Sequence, residues 1–282
     1  MWPTAINRGI SASPSHAHAM RHYLRIFGLF VKIGLMRQMA YRPHFFMMVV
    51  GKVIRMGLLF FFFQAVFLKV DRIGRWTFDQ VLLLFVTFHL VDFVMSITFQ
   101  RNLSFHLPRL IRTGELDSRM ILPTPLLFFA SFEDVDLMDF FSFLPSLGFL
   151  GYVFYRIGFH FSWYQVTAYV VLLINALVLL FAMVLMISTV SFWTTQSYGM
   201  ARIFDNLLKI GRYPLDIFGG FWKIVFVYFL PLIFVAQIPS QALLRTLSLK
   251  FIFFAFGVTS VFLVLSLSFW KKGLKNYSSA ST

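Results

Sequence analysis

Along the chain, long oily runs alternate with short polar breaks. Runs at 45–68, 79–100, 137–155, 166–193, 220–237 and 248–270 are apolar almost throughout. At ~1.5 Å of rise per residue, each can cross the ~30 Å hydrocarbon core of a bilayer as a helix. The pattern predicts an all-α polytopic membrane protein with about six transmembrane helices. Pro145 and Pro231 lie inside the third and fifth runs, where proline breaks the helical hydrogen-bond ladder, so both helices are expected to kink.

The polar breaks differ among themselves. In 21–42, Arg21, Arg25, Gly28 and Lys32 recur at helical spacing beside a Phe/Leu/Ile face, which predicts an N-terminal interfacial helix. The competing reading is an ordinary beginning of the first span. Pro43 then breaks the run. Residues 1–20 have no apolar core and are no signal peptide; a disordered tail is expected, with Met20 as an alternative start. Residues 101–126 are polar and hold Pro108, Pro123 and Pro125, which predicts a long loop with a short helix around 104–117. The expected organisation is a tail over 1–20, a transmembrane domain over 21–271 and a second tail over 272–282.

Composition supports a lipid-facing surface. Hydrophobic residues are 59% of the chain and aromatic ones 20%, with 39 Phe and a mean hydropathy of +0.78. A water-soluble domain holds nearer 45–50% apolar residues. The net charge of +14 does not point to nucleic acid, because the cations sit between oily blocks. It sets topology instead. With both termini cytoplasmic, sixteen Lys and Arg fall on the cytoplasmic side and five (Lys69, Arg72, Arg75, Arg156, Arg245) opposite, with Lys52, Arg55, Lys223 and Lys250 in or at the spans. Cationic loops stay in the cytoplasm and meet anionic headgroups, so lipids are partners of this surface. The chain has no Cys, hence no disulfide and no thiolate metal site.

Candidate chemistry is sparse. No G-x-x-x-x-G-K-[ST] phosphate loop, H-E-x-x-H or G-x-S-x-G occurs, so nucleotide and the common hydrolase reactions have no signature here. His89 and Asp92 share a helical face near mid-membrane, as a proton relay would need, or as a packed interhelical hydrogen bond would. Lys52 and Arg55 lie within the first span and either snorkel to headgroups or bind an anionic group. Glu133, Asp134, Asp136 and Asp139 could ligate a hard cation, but without a glycine turn they equally suit the N-terminus of a helix. No metal or cofactor site is assigned.

Two segments resemble one family. Residues 111–126, IRTGELDSRMILPTPL, place Arg112 before Gly114, Glu115, Leu116 and Asp117, then Leu122, Pro123 and Pro125. A second stretch has Gly211, Arg212, Tyr213, Pro214 and Ile217, then Pro231, Pro239, Ala242 and Leu243. Both are similar to the permeases of six-span ATP-binding cassette (ABC) exporters, in the viologen-exporter-like branch. The acidic run at 133–139 and Gly219-Gly220 depart from that pattern. The resemblance implies a prokaryotic cytoplasmic-membrane permease that dimerises with itself or a second permease. It implies a separate ABC ATPase subunit that binds the ATP and magnesium, and export of a cargo along the dimer interface. Arg112, Gly114, Glu115, Leu116 and Asp117 would then form the coupling contact, and Gly211–Pro214 a cytoplasmic entry to the fifth span. The rival readings are an ion-coupled transporter using His89 and Asp92, and a lipid-modifying enzyme using the acids at 133–139.

Overall fold

The computed structural model describes residues 25–34, 36, 42–135, 140–158, 162–194, 197–244 and 248–277. The expected tail at 1–20, residues 278–282 of the expected tail at 272–282, Arg21, Asp136, Asp139 and Arg245 lie outside these; residues 272–276 instead continue the last helix. Among the described residues every regular element is helical.

Helix α1 covers 25–34. Phe27, Phe30, Val31 and Gly34 turn inward while Arg25, Gly28, Leu29, Lys32 and Ile33 are exposed. Helix α2 (Arg42–Phe67) takes Pro43 in its first turn, where the missing N–H has no partner to lose. It runs antiparallel to α3 (Phe78–Met95): the Phe67 and Phe78 rings are 5.5 Å apart, and those of Phe63 and Phe85 5.7 Å. A capping box of Thr77 with Gln80 starts α3.

The expected loop at 101–126 begins instead as helix. From Met95 the chain passes through two π-helical stretches, Ser96–Gln100 and Asn102–His106, directly into α4 (Leu107–Thr113). Pro108 is tolerated because the preceding turn has already shifted its pairing, Leu107 N–H donating to Asn102 C=O, five residues back. Phe78 to Thr113 is therefore one helical rod. At ~1.5 Å per residue it measures ~54 Å, longer than the ~40–45 Å of a whole bilayer. Its apolar part is Phe78–Gln100; the remainder projects beyond.

Short helices α5 (Leu116–Met120) and α6 (Leu126–Phe132) follow. Helix α7 (Phe140–Ile157) returns antiparallel to α3, with the Phe143 ring stacked on Phe93 at 4.6 Å and Arg156 donating to Asp79 at 3.0 Å. Helix α8 (Trp163–Thr189) then runs parallel to α3, Tyr169 beside Thr87 and Phe181 beside Phe99. Helix α9 (Ser197–Leu208) and the short turns after it run back down α3. Asp205 sits opposite Gln100, Gly211 opposite Phe88, and Asp216 opposite Trp76.

The expected fifth span, 220–237, is broken. Gly220–Phe229 and Leu232–Leu243 meet at 66°, around Leu230 and Pro231. The residue before a proline is driven out of the helical region, and Leu230 has φ −118° and ψ 79°. We label Gly220–Ile224 α10 and Gln237–Leu243 α11. Buried polar side chains hold the bent pair in place. Gln237 accepts from Leu215 N–H, Ser240 donates to Thr87, and Gln165 donates to the Leu243 carbonyl at 2.6 Å. Helix α12 (Leu249–Asn276) closes the chain, parallel to α8, with the Phe269 ring stacked on Trp193 at 5.1 Å. Phe78–Gln100, Trp163–Phe192 and Leu249–Asn276 are each long and apolar enough to cross a membrane, and the bent pair would make a fourth if it were one span.

Candidate functional site: a platform at the end of the helical rod and a second motif beside it

The helical rod ends on Gly114, whose φ of 73° is left-handed and suits glycine because it carries no Cβ to clash. That turn swings Glu115 and Asp117 outward and tucks Leu116 into the core, fully buried. Arg112 is exposed at the end of α4. Glu115 is half-exposed, 3.9 Å from Arg109. Asp117 lies against Tyr277, just past the end of α12. The Tyr277 hydroxyl makes no hydrogen bond of good geometry, and burial, with the Asp117 carboxylate beside it, pushes its pKa above the usual range. Beyond α5 the apolar residues Met120, Ile121 and Leu122 face outward, Ile121 at 84% exposure.

The acidic turn braces this platform. Asn102 donates to the Asp134 carbonyl at 2.7 Å and accepts from its N–H at 3.0 Å. Arg119 pairs with Glu133 at 2.9 Å, and Arg101 and His106 approach the Asp134 carboxylate at 3.9 and 3.3 Å. These two acids serve neighbouring cations, and no cluster of three metal-ligating side chains forms among the described residues. Helix α1 packs beneath, Phe27 on Phe132 and Phe30 on Phe129. Gly34 is needed there: a Cβ would stand 2.6 Å from the Val135 carbonyl oxygen.

His106 has its pKa lowered by burial first and by Arg101 and Arg109 next, although Asp134 opposes them. A lowered histidine stabilises the fold above its unfolded pKa of ~6.5 and loses that contribution as pH falls through the folded value. Acidification from pH 7 to 5 is therefore expected to lower the melting temperature, and His106→Gln to flatten that slope. An unchanged slope in the variant would disprove the assignment.

The second motif stands elsewhere. Gly211 packs on Phe88, where a Cβ would meet the ring at 3.4 Å. The Arg212 guanidinium lies 5.7 Å from the Tyr213 ring centroid, and Tyr213 meets Phe63. Pro214 is buried. From Phe88 to Gly114 the rod rises ~39 Å at ~1.5 Å per residue. The structure thus sets the two motifs at different heights of α3. Just past Pro214, Asp216 is a hub that the sequence did not reveal. Its carboxylate accepts from the Trp76 indole at 2.9 Å and approaches Arg75 at 3.5 Å and Lys223 at 3.8 Å.

His89 packs edge-on against Phe85 at 4.4 Å, and its Nε2 makes no hydrogen bond. The charges that act on it are those of Arg212 and Arg55, whereas Asp92 has contacts of its own. Arg55 is exposed on α2, well inside the helix. On α9 and the turn after it, Arg202, Asn206 and Lys209 are exposed together with Met200 and Ile203, while Ala201, Phe204 and Leu208 are buried.

No curated protein and no solved structure matches the chain. The pattern of the ABC-2 family transporter proteins matches residues 53–281, which takes in α3, the platform, both motifs and α12. The chain belongs to the ABC-2 family, the membrane components of ABC transporters.

Proposed function

We propose that this chain is the dimeric permease of an ABC exporter of the viologen-exporter-like branch, driven by ATP hydrolysis on a separate subunit. The observation that carries the reading is the rod from Phe78 to Thr113, which is longer than a bilayer is thick and ends on the Gly114 turn. A motor on the aqueous side has there a braced lever to push, capped by Glu115, Arg112 and the exposed Ile121. Single exposed apolar residues are common on protein surfaces. Three in succession beside paired charges, past the end of an apolar span, suit a partner protein better than solvent.

The topology fits the same reading. Helices α2, α3, α7, α8, the 197–217 segment and α12 make six passes, and the bent pair 220–243 is a re-entrant hairpin. It enters near Asp216 and leaves near Gln165, both at the end of the molecule remote from the platform. Both termini then share the platform side. With Arg202, Lys209 and Arg212 moved into the fifth pass, thirteen Lys and Arg remain in platform-side segments against five opposite, so the platform is cytoplasmic.

The test is purification in mild detergent from cells that also express a tagged ABC ATPase encoded beside this chain. The wild-type chain is expected to retain the ATPase, and the Glu115→Lys/Asp117→Lys and Ile121→Asp variants to lose it while keeping their elution volume. Unchanged retention in both variants would sink the platform as the coupling contact. Transport driven by a proton gradient without any ATPase would favour His89 and Asp92 instead.

A further inference from the structure

The seam between α8 and α12 holds two polar side chains with nothing to bond. Asn175 is 4% exposed and Thr259 5%, and the Asn175 Nδ2 and Thr259 Oγ1 make no hydrogen bond. The two helices run parallel, and Thr189 of α8 faces Gly273 of α12. Asn175 and Thr259 each lie fourteen residues before that pair, so they stand at one level. That level is near the middle of Trp163–Phe192 and Leu249–Asn276, both long and apolar enough to cross a membrane. Hydrocarbon offers no hydrogen bond, so an amide and a hydroxyl left bare there are costly.

The seam is open at this point. A groove of about 270 Å³ lies between the helices, lined by Asn175 and Thr259 together with Val171, Ile174, Phe256 and Leu263. An apolar cavity of ~150 Å³ already takes benzene. No charged side chain lines the groove, so it does not suit an ion. Ile174 and Phe256 are exposed, whereas the two polar residues are recessed. A second helix laid across the seam would rest on Ile174 and Phe256 and leave the polar atoms bare. A slim molecule can enter between them. No hydrogen bond holds the Asn175 Nδ2 in place, so the amide can turn its N–H toward the groove, and the Thr259 hydroxyl can rotate likewise. Two donors then meet in an uncharged slot, and one carbonyl oxygen has the two lone pairs to accept both.

We propose that this groove binds a neutral carbonyl compound drawn from the bilayer. Its oxygen accepts from the Asn175 amide and the Thr259 hydroxyl, and its apolar body lies against Ile174 and Phe256. The site is separate from the platform and goes beyond the permease reading.

Photolabelling of the purified chain in dodecyl maltoside, a detergent without a carbonyl, tests the site without any ATPase. The probe is benzophenone, a neutral ketone that attaches to nearby C–H bonds on illumination, with the attachment mapped by peptide mass spectrometry. Saturable labelling within 171–178 or 256–263 is expected. Acetophenone should suppress it at about fivefold lower concentration than ethylbenzene, a hydrocarbon of similar shape, as gain of one to two hydrogen bonds does. In Asn175→Leu and Thr259→Val, which remove the donors and keep the bulk, that preference should shrink toward equality. Ile174→Trp, on the exposed rim, should block labelling and serves if a polar variant fails to fold. Labelling confined to other segments, or equal suppression by both competitors in the wild-type chain, overturns the proposal. So does a shift of the Asn175→Leu/Thr259→Val double variant to a smaller species on a sizing column, which would assign the polar pair to a second copy of the chain.

Discussion

Gly273→Val is expected to loosen the seam between α8 and α12 and to disturb the Asp117–Tyr277 contact of the platform with it. A Cβ at 273 would stand 2.6 Å from Phe192 Cδ2 and 2.9 Å from Thr189 Cγ2, closer than real carbons approach. Neither neighbour can yield easily. The Phe192 ring packs at once on Trp270 at 5.5 Å and on Tyr277 at 6.0 Å, and Thr189 is tied to the Leu185 carbonyl at 2.6 Å. Overpacking of this kind costs typically ~1–3 kcal/mol, against a gain of under ~1 kcal/mol from removing a helical glycine. The displaced ring would carry Tyr277 away from Asp117. The variant should therefore lose its monodisperse elution peak at a lower temperature than wild type and retain less ATPase. Gly273→Ala should show a smaller loss of the same kind. Wild-type melting in Gly273→Val would show that α12 can shift without strain.

How much of this was legible in the sequence depends on what each segment faces. Helices α3, α8 and α12 face lipid or apolar core nearly all round, so hydropathy alone located them within a few residues. The platform was legible as chemistry, because Gly114 and its flanking acids mark a turn whatever surrounds them. Its support was not: Asn102, Ile121 and Tyr277 act across 32 or more residues of chain, or project from its tip, and leave no local pattern. The helical character of 197–208 escaped the sequence reading for a physical reason. Arg202, Asn206 and Lys209 lower the average hydropathy of 197–217, so the segment reads as a polar connection. The signal that could have found it was periodicity, since Ala201, Phe204 and Leu208 alternate with them at helical spacing. Pro231 is expected to kink the helix, and the helix does break there, with a 66° bend between Gly220–Phe229 and Leu232–Leu243. The motif Gly211–Pro214 was legible only by resemblance, because its neighbours in sequence are polar.

Asp216→Ala is expected to destabilise the end of the molecule remote from the platform, and Asp216→Asn far less. The Asp216 carboxylate is mostly buried, with 12% of its side chain exposed, and Trp76 is 3% exposed. Alanine leaves the Trp76 indole N–H buried without an acceptor, a loss of ~1–3 kcal/mol. Asparagine keeps an oxygen for that bond and removes only the charge. The ion pairs add little, because the Arg75 and Lys223 side chains are 77% and 54% exposed and water screens them. Gly74 shows how closely the pieces fit: at φ +60° its missing Cβ would lie 2.9 Å from the Cβ of Asp216. Since Asp216 ties the α2–α3 turn to the foot of the hairpin, the alanine variant should melt early and expose the hairpin to protease added from that side. A melting temperature for Asp216→Asn as low as for Asp216→Ala would transfer the stabilisation from the indole bond to the charge, and would require the Arg75 and Lys223 pairs to be far stronger than their exposure allows.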